Sequence, residues 1–364
     1  MRARRPFSLL AVEYSLALPT GAILALVWAN LSSATYVPFS HALAFTVNDV
    51  GMVFFFALAA KEVVDATIPG GALHTWRRAA LPVIAAVGGM IAPALLYVAL
   101  VSHATETALL RGWAIPCATD IAFSYLVVRF IYRRHPAVAF LLLLAIADDA
   151  LGLVILAIFY PVRDLHLGVA ALLMAFALAT ALALRRGSVE SFWPYLVCAG
   201  SLSWAALYLG GLHPALALVP VVPLLPSANA RDRFEDRLKA PVQVMLFAFA
   251  LVNAGVLLRQ YGTGTWAVLA GLVAGKPIGI AAATALAVAV GFRLPDRFEW
   301  RDVAVVGCAS GVGFTVALFF ATASFPPGAM LDAAKIGALL SLASAVVAVG
   351  AARVLRSGRF SAST

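Results

Sequence analysis

Residues 141–160 read LLLLAIADDALGLVILAIFY. Apart from two adjacent aspartates the stretch is uncharged, and about 20 apolar residues is the length of a helix crossing the hydrocarbon core of a bilayer. The run decides the fold class. The aspartates, Asp148 and Asp149, lie where charge is costly and by default marks function.

The rest of the chain agrees with this stretch. Of its 364 residues, 63% are hydrophobic and 12% charged, whereas soluble domains carry about 25% charged residues. Several further runs reach span length. Lipid admits only helices and closed barrels, because every backbone polar group must be satisfied internally. Barrel strands alternate polar and apolar residues, and these runs do not. The class is therefore an all-α polytopic membrane protein, a single integral membrane domain over 1–364. Twelve spans are predicted: 8–30, 45–65, 79–102, 113–132, 136–160, 167–185, 193–210, 213–226, 240–259, 266–291, 302–324 and 332–354. The eighth is short and carries Pro220, Pro223 and Pro226. Pro82 and Pro136 suit first helical turns. The longest polar loop runs from about Ser227 to Lys239.

The net charge of +9 would suggest nucleic acid in a soluble protein. Here the cations fall in short loops, so the expected partner is membrane lipid and no nucleic acid is implied. Of the 26 lysines and arginines, twenty fall in one set of alternating loops and termini. Only Arg111, Arg163 and Arg259 fall in the opposite set, and Lys61, Lys276 and Lys335 lie in or at the ends of spans. Basic loops stay cytoplasmic, so both termini are predicted inside. The basic N-terminus runs into an apolar segment read as an uncleaved first span. Cys117, Cys198 and Cys308 form no Cys-x-x-Cys, which leaves neither a disulfide framework nor a zinc site to expect.

Five ionisable residues fall well inside the spans: Glu13, Asp120, Asp148, Asp149 and Lys276. Adjacent helical residues point about 100° apart. One of Asp148 and Asp149 can therefore face a partner helix while the other faces a cavity. Two close carboxylates in a dry place resist ionisation together, which suits them to exchange protons. A hard cation such as sodium prefers oxygen ligands and can compete for the same atoms. A purely structural salt bridge fits less well, since one lysine cannot neutralise two acids. Lys276, in LVAGKPIGI, is too deep to snorkel and is predicted to pair with Asp148 or Asp149 and to carry a proton in its own right. Pro277 behind it should kink the helix. Asp120 follows a break at Pro116, in RGWAIPCATDIAFSYLVV, and a matching break is crowded with Ser310, Gly311, Gly313 and Thr315 in GCASGVGFTVALFF. Paired interruptions of this kind point to a transporter site, and Asp120 can balance the positive N-terminal ends of the half-helices. Glu13 is read as structural.

Taken together, PVIAAVGGMIAPALLY, GWAIPCATDIAF, LLAIADDALG, NAGV, GKPIG, GVGFT and AAKIGALL resemble the NhaA-type sodium/proton antiporters, from about Gly21 to Val349. The resemblance implies a fold of about twelve helices with inverted-topology repeats, placed near 79–160 and 266–354, and two discontinuous crossing helices. It implies residence in the bacterial inner membrane and no resident cofactor, with Na+ or Li+ and H+ as the transported substrates. Position by position, Asp148, Asp149 and Thr119 match the cation site, Asp120 the acid that offsets opposed helix ends, and Lys276 the lysine paired with the first aspartate. Glu62 and Glu235 match acids of a cytoplasmic pH-sensing funnel. There are departures: Leu151 stands where a glycine is usual, Val64, Asp65 and Ala66 replace charged residues after Glu62, and Asp236 and Lys239 replace histidines near Glu235. The loop from Leu31 to Ala44 is too short for the family's dimer-forming β-hairpin, so any homodimer should form by another route.

The expected activity is electrogenic exchange of Na+ for H+ by alternating access, with one bundle rocking against the other. A sodium-coupled symporter of an organic anion is the main rival. An intramembrane aspartyl protease needs its two acids on facing helices, and no Gly-x-Gly-Asp segment occurs. A sensor would need a signalling domain.

Overall fold

The computed structural model describes the backbone of residues 7–74 and 76–361, with side chains from Ala17 onward except around 75–78. Glu13 and the arginines before it lie outside the described side chains. Among the described residues the regular structure is helical throughout. The helices are α1 (Phe7–Leu31), α2 (Ser33–Phe45), α3 (Met52–Thr67), α4 (Trp76–His103), α5 (Ile121–Tyr132), α6 (Pro136–Phe159), α7 (Leu167–Arg186) and α8 (Gly200–Leu209). They continue as α9 (Ala228–Asn253), α10 (Thr263–Ala270), α11 (Lys276–Ala289), α12 (Trp300–Ser310), α13 (Phe314–Ser324), α14 (Ala329–Leu340) and α15 (Ala343–Val354).

Among the described residues, six segments are long and apolar enough to cross a membrane: Ser33–Thr67, Ala79–His103, Pro136–Phe159, Leu167–Arg186, Thr263–Ala289 and Ala329–Phe360. Two more crossings are broken. Thr107–Cys117 meets Ile121–Tyr132 at 48°, and Trp300–Ser310 meets Phe314–Ser324 at 50°. Ala17–Leu31 and Tyr195–Leu209 are shorter apolar helices. Both expected discontinuous helices are therefore present, at the expected breaks.

Some expectations fail. Residues 213–226 are not a span: the segment holds 3-10 turns at Pro214–Leu216 and Val222–Leu224, because prolines recurring every three residues deny an α-helix its donors. Ser227–Lys239 is not a loop. Ser227 caps α9 by accepting the Ala230 N–H, and the charged segment forms its first turns. The stretch from Leu31 to Ala44 is mostly α2. Pro82 lies inside α4, not in its first turn.

The chain packs as two compact units. One comprises Met1–Leu16, Pro69–Gly152 and Val256–Thr364; the other comprises Ala17–Ile68 and Leu153–Gly255. In the first, α4 and α11 approach with almost nothing between them. A Cβ on Gly279 would lie 2.1 Å from the Gly88 carbonyl oxygen, and one on Gly88 would lie 2.2 Å from Ala283 Cβ. Small residues permit such contact where lipid offers no hydrophobic drive to associate. Below them Leu81, Phe140, Leu144, Ile280, Phe298 and Val306 form one apolar cluster. At its edge the end of α5, the start of α12 and the tail after α15 are tied together. The Tyr132 hydroxyl lies 2.9 Å from Asp302 Oδ1 and 2.7 Å from Ser357 Oγ, and Ser357 also hydrogen-bonds that carboxylate.

In the second unit Tyr36 fixes α2 to the end of α9. Its hydroxyl accepts the Gly255 N–H at 3.0 Å and reaches the Leu251 and Val252 carbonyls at 3.0 and 2.9 Å. Asn253 Nδ2 donates to Asn48 Oδ1 at 2.8 Å, within the π turn Thr46–Gly51.

Candidate functional site

Both breaks expose the same kind of loose end: half-helix starts with unbonded N–H groups and half-helix ends with unbonded carbonyls. The first unit brings them together. Asp120 caps α5, its Oδ1 accepting the Phe123 N–H at 3.3 Å. Its Oδ2 accepts the Thr315 N–H at 3.2 Å and the Thr315 hydroxyl, so one carboxylate serves the N-terminal ends of both α5 and α13. Negative charge there offsets the positive ends of two helix dipoles. The Asp120 N–H in turn donates to the Val312 carbonyl at 2.6 Å, which joins the breaks backbone to backbone.

The carbonyl ends are met by hydroxyls and by a cation. Thr119 Oγ1 donates to the Ser310 carbonyl at 3.2 Å, and Ser124 Oγ donates to the Ala309 carbonyl at 2.8 Å. The Lys276 ammonium donates to the Cys117 carbonyl, at the end of the first half-helix. Positive charge belongs at that pole.

Lys276 also holds the aspartate pair. Its Nζ lies 2.8 Å from Asp148 Oδ2, and the two side chains are 0% and 1% exposed. Asp148 Oδ1 is equally buried and makes no hydrogen bond of ordinary geometry, with Thr119 beside the carboxylate. A buried carboxylate oxygen with so little to hold it is uncommon, and it suits a ligand position. Asp149 is half-buried on the adjoining face of α6. Sequence spacing left the lysine's partner open between the two acids; it is Asp148.

Thr119, Asp120, Asp148, Lys276, Ser310 and Thr315 thus meet around the two breaks, with Asp149 next in chain. Pro116 lies against Gly271, where a Cβ would stand 2.6 Å from the proline's own Cβ. Gly313 lies against Ala118, whose carbonyl oxygen would be 3.1 Å from an added Cβ. Sequence reasoning missed two contributors. The Cys117 carbonyl has no side-chain signature. Ser124 does have one, since it follows Asp120 by four residues and so shares its helix face.

Glu62 and Glu235 belong to the second unit. Glu235 is not in a loop but on α9, where it pairs with Lys61 and, at 3.1 Å, with Lys239. Lys61 also binds Asp65 at 2.9 Å, and Arg231 reaches that aspartate at 2.8 Å. The end of α3 is therefore stitched to α9 by a partly buried charge network. Glu62, half-buried beside Lys61, makes no ion pair of its own among the described residues, yet it lies within the fields of Lys61, Glu235 and Asp65.

The comparisons with known proteins agree with this arrangement. The chain is 44% identical to the Na(+)/H(+) antiporter NhaA 1 of Pelobacter propionicus, over 94% of this chain and 96% of the relative. It is 43% identical to the Na(+)/H(+) antiporter NhaA of Geobacter metallireducens, over 97% and 98%. The structure of the sodium proton antiporter MjNhaP1 from Methanocaldococcus jannaschii shares the fold, with a TM-score of 0.60 at 13% identity and 95% of each chain covered. An organic-anion symporter finds no support among these relatives. With two broken helices meeting over a buried Asp–Lys pair, and with the Na+/H+ antiporter 1 family model matching residues 11–355, the chain belongs to the Na+/H+ antiporter 1 family.

Proposed function

We propose that Na+/H+ antiport in this chain runs through the carboxylates of Asp148 and Asp149, with Thr119 as the neighbouring oxygen ligand. The observation that carries the reading is the state of Asp148: one oxygen is held by Lys276 at 2.8 Å, and the other is buried with Thr119 beside it and no hydrogen bond of ordinary geometry. An incoming Na+ or Li+ takes the carboxylate oxygens and releases the ammonium. A proton on either group reverses the exchange. Discharging two protonatable groups per cation makes the cycle electrogenic, so membrane potential drives it.

Asp120 and Thr315 act as fixed structure in this scheme, holding the broken helices so that Thr119 and Lys276 stay aimed at the aspartates. The site opens alternately to each side of the membrane. The inverted repeats 79–160 and 266–354 are supported by their common order, an apolar crossing without a sharp bend, a broken one and another without a sharp bend, the broken ones bent by 48° and 50°. The inner membrane of a bacterium with cytoplasmic termini is supported by the loop charges. Glu235 is the better placed of the two pH-sensing candidates, since its pairing with Lys61 ties α3 to α9; Glu62 adds a second acid nearby. No resident cofactor is proposed. A homodimer would not use a hairpin, because α2 occupies that segment.

The test is Asp149→Asn in everted vesicles. Sodium-dependent dequenching of a ΔpH dye should be abolished. Exchange at the wild-type rate would remove Asp149 from the site.

A further inference from the structure

Lys276 reaches Asp148 from a helix that is not regular. Residues Gly271–Gly275 form a π turn between α10 and α11, and the Lys276 N–H bonds to the Gly271 carbonyl, five residues back. Such turns are rare and carry one residue more than an α-turn. The next residue explains its position. In an α-helix the Pro277 ring would collide with the carbonyl of Val273, four residues back. The wider π turn relieves the collision.

The relief displaces a different carbonyl. The ordinary α donor for the Leu272 oxygen is the Lys276 N–H, which is given to Gly271. The donor one residue further on belongs to Pro277, which has no N–H. The Leu272 oxygen therefore has neither partner within its helix, and it lies against the break between α12 and α13. A Cβ on Gly311 would lie 2.5 Å from that oxygen. Only a glycine at position 311 leaves the space. The turn is gripped on its other faces too: a Cβ on Gly275 would lie 2.7 Å from Pro93 Cα.

We propose that Pro277 and Gly311 are positioning residues for the transport site: Pro277 forces the π turn that aims Lys276 at Asp148, and Gly311 makes room for the carbonyl the turn displaces. One residue of rewinding would rotate Lys276 by about 100° relative to α10. It would leave both the Cys117 carbonyl and Asp148 Oδ2. The inference rests on the reading of Lys276 and Asp148 given above.

The experiment uses the purified full chain in proteoliposomes, measuring apparent KM for Na+ and the pH profile of exchange. The variants are Lys276→Ala, Asp148→Asn, Pro277→Ala, Gly311→Ala and the Pro277→Ala/Lys276→Ala pair. Loss of one charge-assisted hydrogen bond is worth on the order of tenfold. Pro277→Ala and Gly311→Ala should each shift apparent KM in the same direction as Lys276→Ala and by a comparable factor, with a matching change of pH profile. Adding Pro277→Ala to Lys276→Ala should change nothing further. Pro277→Gly, which also restores the N–H, carries the test if the alanine variant does not reconstitute. Wild-type KM in Pro277→Ala overturns the proposal while leaving the site intact. So does a shift that adds in full to that of Lys276→Ala, which would mark a general deformation of the helix. Wild-type behaviour of Lys276→Ala and Asp148→Asn together overturns the site itself.

Discussion

Asp120 accepts hydrogen bonds from two helix starts at once, so the cost of disturbing it is concentrated in single atoms. Thr315→Val leaves Oδ2 with the backbone N–H of residue 315 alone. Losing a hydrogen bond to a charged acceptor costs about 1.5–3 kcal/mol. The thermal midpoint in detergent should fall for Thr315→Val and stay near wild type for Thr315→Ser; equal midpoints would show that the hydroxyl does not hold the break. Ser344 makes the opposite case. Its hydroxyl is buried without a partner near Gly311, and an unsatisfied buried group costs about 1–3 kcal/mol. Ser344→Ala should therefore raise the midpoint. Much of this residue-level picture was legible in the sequence, because Asp120, Asp148, Asp149 and Lys276 are charges at membrane depth and need no alignment to be noticed. Which acid meets the lysine was legible only through the family resemblance, not from the residues themselves. That depends on the rotational register of α11, which a single π turn resets. Thr119 and Thr315 were named as members of the two breaks, but the atoms their hydroxyls bond were not legible, since threonine is common in membrane helices and only its neighbours give it meaning.

At the level of helices, apolar length was a reliable guide where a span is unbroken and lipid-facing. It failed where charge or proline masks the pattern. The first turns of α9 carry Arg231, Asp232, Arg233, Glu235 and Asp236 and so read as loop. Yet Ala230, Phe234, Leu238 and Val242 are buried at every fourth position. This is the amphipathic period of a helix whose polar face meets water. The short span assigned to 213–226 erred the other way, because hydropathy does not count donors and the prolines remove them. The α4–α11 contact shows what sets helix spacing here. Gly88→Val would drive a branched side chain into Ala283 and the Gly279 carbonyl. The helices must then part, and overpacking of this kind costs about 1–3 kcal/mol or more. The variant should lose yield and thermal stability, whereas Gly350→Ala, with nothing within 4 Å of its added Cβ, should be indistinguishable from wild type.

For the whole molecule, the loop charges make the sharpest claim. With twenty cations in one set of loops and termini and three in the other, the proposed orientation puts the basic side in the cytoplasm. A single cysteine placed at Arg163 in a cysteine-free background should react with an impermeant maleimide in right-side-out cells. One placed at Arg233 should react only in everted vesicles; the reverse pattern would invert the topology. The tie between Tyr132, Asp302 and Ser357 bears on how the protein can be handled. It joins the outer ends of both discontinuous helices to the residues just past α15. An affinity handle or fluorescent reporter spliced in after Leu355 would therefore cut a structural suture, while the same cargo attached after Ser361 would leave it sewn.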